Sequence, residues 1–178
     1  LGSIKSTMDM GIGYVPAERR AQGLLLERSI KENITLAFLR KLSKLGLIQK
    51  KSESASGQLW ADNLSIKTKN IENAVLSLSG GNQQKVLLSR WLLTGCRILI
   101  LDDPTRGVDI GSKLEIYELL QKLAHKEKVA VLVISSDIEE VLKISDRIEV
   151  MRNGKITLSK TNPTQQEVAR AAYLEEAS

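Results

Sequence analysis

The stretch Leu76-Ser77-Leu78-Ser79-Gly80-Gly81-Asn82-Gln83-Gln84-Lys85-Val86 constrains this chain more than any other. A hydroxyl and two glycines stand just before an apolar-periodic run, Val86 to Leu93, whose spacing predicts a helix. Ser79, Gly80 and Gly81 then lie at that helix's N-terminus. Backbone N–H groups there lack intrahelical partners, and the helix dipole is positive. Glycine lets a ligand approach the backbone closely. The arrangement predicts an anion site, with phosphate the foremost candidate. Taken alone, Ser-Gly-Gly is more often the cap of an ordinary helix.

A second stretch changes that weighting. Arg97-Ile98-Leu99-Ile100-Leu101-Asp102-Asp103-Pro104 runs four aliphatics into two carboxylates. The pattern is a buried strand ending in acid at a sheet edge, where α/β proteins bind ligands. One carboxylate there can hold Mg²⁺ while its neighbour orients a water. In order and spacing the two stretches resemble the signature and Walker B motifs of ATP-binding cassette (ABC) proteins. LSGGNQQKV followed by LDDPTRGVD resembles in particular the second cassette of the ATP-binding subunits of bacterial sugar importers of the ribose, galactose and xylose type. The resemblance extends from about Gly11 to the C-terminus.

At 178 residues the chain is long enough for one domain with a sizeable core. Hydrophobic residues make up 42% and charged residues 26%, proportions of a globular protein, and no apolar run approaches a membrane span. The single cysteine, Cys96, excludes an internal disulfide and reads as a small buried residue leading into a strand. A net charge of +5 permits nucleic acid or acidic membrane as partners. The cations are scattered and aromatics are only 3%, so nucleic acid is set aside. Arg40, Lys41, Lys44, Lys50 and Lys51 form the one local cluster, interleaved with Leu and Ile, and read as a solvated helical face.

Along the chain, residues 1–10 carry no pattern. Gly11–Val15 reads as a strand stopped by Pro16, and Ala17–Gly23 as a polar loop. Ser29 and Glu32 form a capping box opening a helix through Ile30, Ile34, Phe38 and Leu42. Gly46 and the polar run Lys50–Gly57 are expected to end it, and Leu59, Trp60, Ala61 and Leu64 to form another short helix. Asp109 caps a helix over Ile110–Lys126 with Leu114, Tyr117, Leu120 and Leu123 on its apolar face. Val129–Ile134 reads as a strand buried on both faces, Ile138–Ile144 as a short helix, and Asn153-Gly154 as a hairpin turn. A helix over Thr164–Glu176 ends the chain. The alternation predicts an α/β core with a mainly parallel sheet. Expected divisions are a helical subdomain at 24–75, the motif-bearing core at 76–160 and the C-terminal helix at 161–178.

The resemblance implies ATP and Mg²⁺ as cofactors and a site shared by two cassettes facing head to tail. Ser79, Gly80, Gly81, Asn82 and Gln84 would serve nucleotide held mainly by a second cassette. Asp102 would reach Mg²⁺ through water, and Asp103 would stand for the catalytic glutamate. Asp109 matches the aspartate that crosses to the opposite cassette, although capping alone also explains it. Ser136 occupies the position of the switch histidine, as is common in second cassettes of the sugar importers. His125, the only histidine, reads as a helix-end residue. Ala17 stands where other cassettes place a glutamine, and Glu18 beside it is either a ligand or part of a plain surface loop.

Two departures bear on activity. Asp103 is one methylene shorter than glutamate, which predicts weak hydrolysis at this cassette's own site. No G-x-x-x-x-G-K-[ST] occurs in these residues, so the chain looks like a second cassette cut after the phosphate loop. An exposed sheet edge and no measurable ATPase from these residues alone are the expectations. The implied whole is the ATP-hydrolysing component of a carbohydrate importer at the cytoplasmic face of the membrane. Its partners would be transmembrane permease subunits and, indirectly, a periplasmic or lipoprotein sugar-binding protein. A nucleoside importer and a non-catalytic docking module are the alternatives.

Overall fold

The computed structural model describes residues 3–173. It divides into two compact units, Leu1–Leu132 and Val133–Ser178. In chain order the first unit contains α1 (Ile4–Asp9), β1 (Ile12–Val15), a π-helical turn at Arg19–Gly23, α2 (Ile30–Thr35), a 3-10 turn at Leu36–Phe38 and α3 (Leu39–Leu42). There follow β2 (Ser43–Lys44), β3 (Leu47–Ile48), α4 (Lys50–Asn63), α5 (Gly80–Leu93), β4 (Ile98–Asp102) and α6 (Ile110–His125). The boundary falls inside β5 (Ala130–Ile134).

β1 and β4 pair in parallel, Val15 opposite Leu101, and the sheet order is β1-β4-β5. Val15, Leu99 and Leu101 are fully buried. α5 is the hub: it packs against α2, α4, α6 and β1, and almost every residue from Gly81 to Leu92 is buried. A helix enclosed on all sides is specified by its apolar residues and by the few polar ones that find partners. Arg90 is the clearest of these. It lies in the core and donates to the Gly23 carbonyl at 2.6 Å, the Asn33 carbonyl at 2.8 Å and Asn33 Oδ1 at 3.1 Å. Burial pushes its pKa down to about 10.

The second unit contains α7 (Ile138–Ile144), β6 (Arg147–Arg152), β7 (Lys155–Thr161) and α8 (Gln165–Tyr173). β6 and β7 form an antiparallel hairpin whose turn puts Asn153 at φ 49° and Gly154 at φ 75°. Both central residues in the left-handed region is the expected turn chemistry. Ile148, Val150 and Val168 are its core, with Val141, Leu142 and Leu158 packed around them. The expected final helix is present as α8, while 174–176 lie outside the described residues.

Several expectations need correction. Residues 1–10 contain α1, capped by Ser3 accepting from the Ser6 amide. The Ile30–Leu42 helix is broken by the 3-10 turn, leaving Phe38 half-buried. The run Lys50–Gly57 does not end a helix but begins the 14-residue α4. Gly57 serves packing there, since a Cβ would lie 2.9 Å from Lys31 Cγ on α2. The break expected at Gly46 is present, as a two-residue hairpin turn at Leu45-Gly46 with φ 52° and 79°. On α6, Ile116 is buried and Leu114 is exposed. β5 is not buried on both faces: Leu132 and Ile134 are about half exposed. Among the described residues β1 and β5 are the outer strands of this three-stranded sheet.

Candidate functional site

Ser79 is the N-cap of α5, in extended conformation, but its hydroxyl does not close onto the helix. Ser79 Oγ accepts from Asn82 Nδ2 at 2.9 Å, and Asn82 Oδ1 accepts from the Lys67 amide at 2.8 Å. Asn82 therefore anchors the turn to the segment after α4. It also leaves the first N–H groups of α5 without a side-chain cap, behind an exposed Ser79. That is the arrangement an anion requires.

The two glycines are demanded by the chain itself. A Cβ on Gly80 would lie 2.7 Å from Arg19 Nη2 and 2.8 Å from the Gly107 carbonyl oxygen. One on Gly81 would lie 2.6 Å from Ser112 Oγ. The turn thus abuts the segment that follows the acidic strand end. Asp109 caps α6 by accepting from the Ser112 amide at 3.0 Å, and this bond holds its carboxyl below the usual range. Ser79, Gly80, Gly81, Asn82 and Asp109 therefore belong to one neighbourhood.

Arg19 ties that neighbourhood together. Its Nη1 donates to the Arg106 carbonyl and its Nη2 to the Gly107 carbonyl at 2.9 Å. Burial, with Arg20 alongside, lowers its pKa, while Glu18 opposes the shift. Glu18 itself pairs with Arg106 at 2.7 Å, so the candidate ligand in this loop is engaged by a cation. Arg20 Nε reaches Gln83 Oε1 at 3.4 Å, and Gln83 Nε2 donates to the Leu78 carbonyl at 3.1 Å. Arg19 and Gln83 are additions to the site residues expected from sequence. Two adjacent arginines in a polar loop carry no local signal for which one turns inward.

Asp102 ends β4 and Asp103 follows it, and both are half-buried. Tyr14 on β1 donates its hydroxyl to Asp102 Oδ2 at 3.1 Å. Asp103 adopts φ 42°, unusual for a residue with a side chain, and its carbonyl accepts from the Arg106 amide at 3.0 Å. The tight turn Asp103–Arg106 links the strand end to the Arg19 contacts.

Gln84 departs from the expected set. It is 2% exposed, with Nε2 unpartnered, and so does not stand at the surface with Ser79. Ser136 is exposed, two residues beyond β5 in the second unit. His125 ends α6. Among the described residues no group of three or more His, Cys, Asp or Glu is placed to hold a metal. A single carboxylate such as Asp102 suits Mg²⁺, which keeps several waters and takes the rest of its ligands from phosphate.

A parallel sheet running into paired carboxylates, beside a glycine-rich helix start without a side-chain cap, is an α/β arrangement suited to an anionic ligand. The family model described as ABC transporter matches residues 3–106, more than half of the chain, and the chain belongs to that family. Relatives include the ribose import ATP-binding protein RbsA 1 of Streptomyces coelicolor, 46% identical over 173 residues, covering 96% of this chain and 34% of that protein. The ribose import ATP-binding protein RbsA of Bacillus licheniformis is 43% identical over 164 residues, 91% of this chain and 33% of that one. The chain thus spans about a third of the length of the curated relatives it matches. In fold it is similar to a dimeric ATP-binding cassette solved in a post-hydrolysis state with ADP and Pi. The TM-score is 0.74 at 21% identity, covering 92% of this chain and 69% of that one.

Proposed function

We propose that this chain is part of the ATP-binding component of an ABC importer that energises carbohydrate uptake. The observation that carries the reading is the exposed Ser79 at the uncapped start of α5, packed against the turn that follows Asp103. In this reading ATP lies between two cassettes. Ser79 and the first amides of α5 receive phosphate oxygens of nucleotide held by the partner cassette. Asp102, oriented by the Tyr14 hydroxyl, binds Mg²⁺ through water. When bound, Mg²⁺ neutralises charge on the phosphates.

Asp103 polarises a water but stands back from the position a glutamate would reach. A misplacement of about 1 Å costs on the order of 100-fold, so this chain's own site is slow. Ser136 takes the histidine's place in chain order and brings a hydroxyl in place of an imidazole. Asp109 caps α6 and faces the opposite cassette. The buried Gln84 has no part in binding. Transmembrane permease subunits, an indirectly coupled sugar-binding protein and a place at the cytoplasmic membrane face complete the proposal. No helix among the described residues is long and apolar enough to cross a membrane.

The names of the relatives support ribose or a similar sugar as cargo. The test is uptake of labelled ribose by cells with and without the gene. Loss of ribose uptake with nucleoside uptake intact supports the sugar reading, and the reverse pattern overturns it.

A further inference from the structure

The β2–β3 hairpin presents a combination that the nucleotide site does not use. Its turn, Leu45-Gly46, leaves Leu45 96% exposed, and Leu47 next to it is 72% exposed. Ile48 is exposed as well. Leu45 adopts φ 52°, a region that a branched side chain populates reluctantly and that Asn or Gly would fill without strain. A large apolar residue is thus held in water, in an unfavourable backbone conformation, at the tip of a projection. Folding gains nothing from either feature.

The stems supply the second half. Residues 36–52 contain Arg40, Lys41, Lys44, Lys50 and Lys51 and not one Asp or Glu. All five cations are exposed. Lys44 pairs directly with Leu47 across the hairpin, so charge and apolar surface share a face. Lys50 and Lys51 occupy the first turn of α4, where the helix dipole disfavours cations. The next acid in sequence, Glu53, is buried and accepts from Thr35 Oγ1 at 3.2 Å, so it is not part of the exposed face.

We propose that this hairpin is a membrane-surface contact. Leu45 and Leu47 enter the headgroup boundary of an anionic phospholipid bilayer, and the five cations face its phosphates. An apolar tip with Lys44 on the same face and further cations in the flanking helices gains from both halves of that environment at once. A nucleic acid would reward the cations but not the leucines, and the hairpin exposes no aromatic on which a base would stack. Lys41 lies over the Phe38 ring at 5.1 Å, which fixes one cation at the hairpin's base.

The test is co-sedimentation of the full chain with protein-free vesicles of phosphatidylcholine, with and without phosphatidylglycerol, at physiological salt. Binding only where phosphatidylglycerol is present is expected. The double variant Leu45→Ser, Leu47→Ser should weaken it on the order of tenfold. Lys44→Ser with Lys51→Ser should weaken it about 30-fold, and Lys126→Ser with Lys155→Ser, elsewhere on the surface, less than about threefold. Leu45→Trp should add blue-shifted emission on the anionic vesicles. Undiminished binding by the leucine variant would mean unspecific adsorption of a basic protein. Absence of binding to the protein-free anionic vesicles would mean that lipid is not the partner. Each of these overturns the proposal, as does an emission spectrum of the Leu45→Trp variant that does not shift on anionic vesicles. None depends on nucleotide, so the outcome is independent of the transport reading.

Discussion

Arg19 donates to the Gly107 carbonyl at 2.9 Å, with the same guanidinium nitrogen 2.7 Å from where a Cβ on Gly80 would stand. One side chain therefore links the loop after β1, the turn after β4 and the start of α5. Arg19→Ala should loosen the register between the signature turn and the acidic strand end. ATP turnover of the assembled importer is expected to fall roughly 10- to 100-fold. Arg19→Lys should recover little, because a single ammonium lacks the planar fork that spans two carbonyls. Steady-state phosphate release measures both variants.

Arg90 is the buried counterpart. Its three acceptors, two backbone carbonyls and Asn33 Oδ1, belong to the buried residues Gly23 and Asn33. Arg90→Met keeps much of the volume but removes the side-chain donor from the buried Gly23 and Asn33 carbonyls, while Asn33 Oδ1 keeps the Leu25 amide at 2.9 Å. A loss of about 3–5 kcal/mol is expected in urea unfolding of the chain.

Asp103 sits at φ 42° just past the end of β4. Asp103→Glu restores the missing methylene and should raise turnover of the assembled importer by about tenfold or more. Unchanged single-turnover hydrolysis would show that reach is not what limits this site.

Acid stability of the second unit should depend on Glu167. Lys160 at 2.6 Å, followed by the Thr164 amide, pulls its carboxyl down to about 2 from a usual 4.5. A depressed carboxylate contributes stability that is complete above the unfolded value and is lost as pH falls through the folded one. The contribution should therefore fade between about pH 4.5 and 2, a window that Glu167→Gln abolishes. Both residues are solvent-exposed, so the effect is a small shift in the acid unfolding midpoint.

The features legible in sequence are those set by nearest neighbours. The Ser29–Glu32 capping box, the Asp109 cap and the Asn153-Gly154 turn each satisfy backbone groups within a few residues, and each stands as expected. The acidic end of β4 is likewise legible from its four preceding aliphatics. The misreadings are long-range. Gly57 resembles a helix breaker in sequence because its partner, Lys31, lies on another helix. Gly46 marks a break in the sequence, but that the break is a hairpin turn is hidden because Leu45 is a poor occupant of the left-handed region. Arg19 acquires its role only when Arg106 and Gly107 fold against it, 87 and 88 residues later.

The central claim is that the α5 start bearing Ser79 closes on nucleotide held by a second cassette. ATP turnover of the assembled importer carrying Ser79→Arg tests it most directly. The substitution puts a bulky cation where phosphate should sit, against the positive end of the helix. Loss of nearly all sugar-stimulated turnover, with the assembly intact, is the predicted result; turnover equal to the unsubstituted protein would contradict the account.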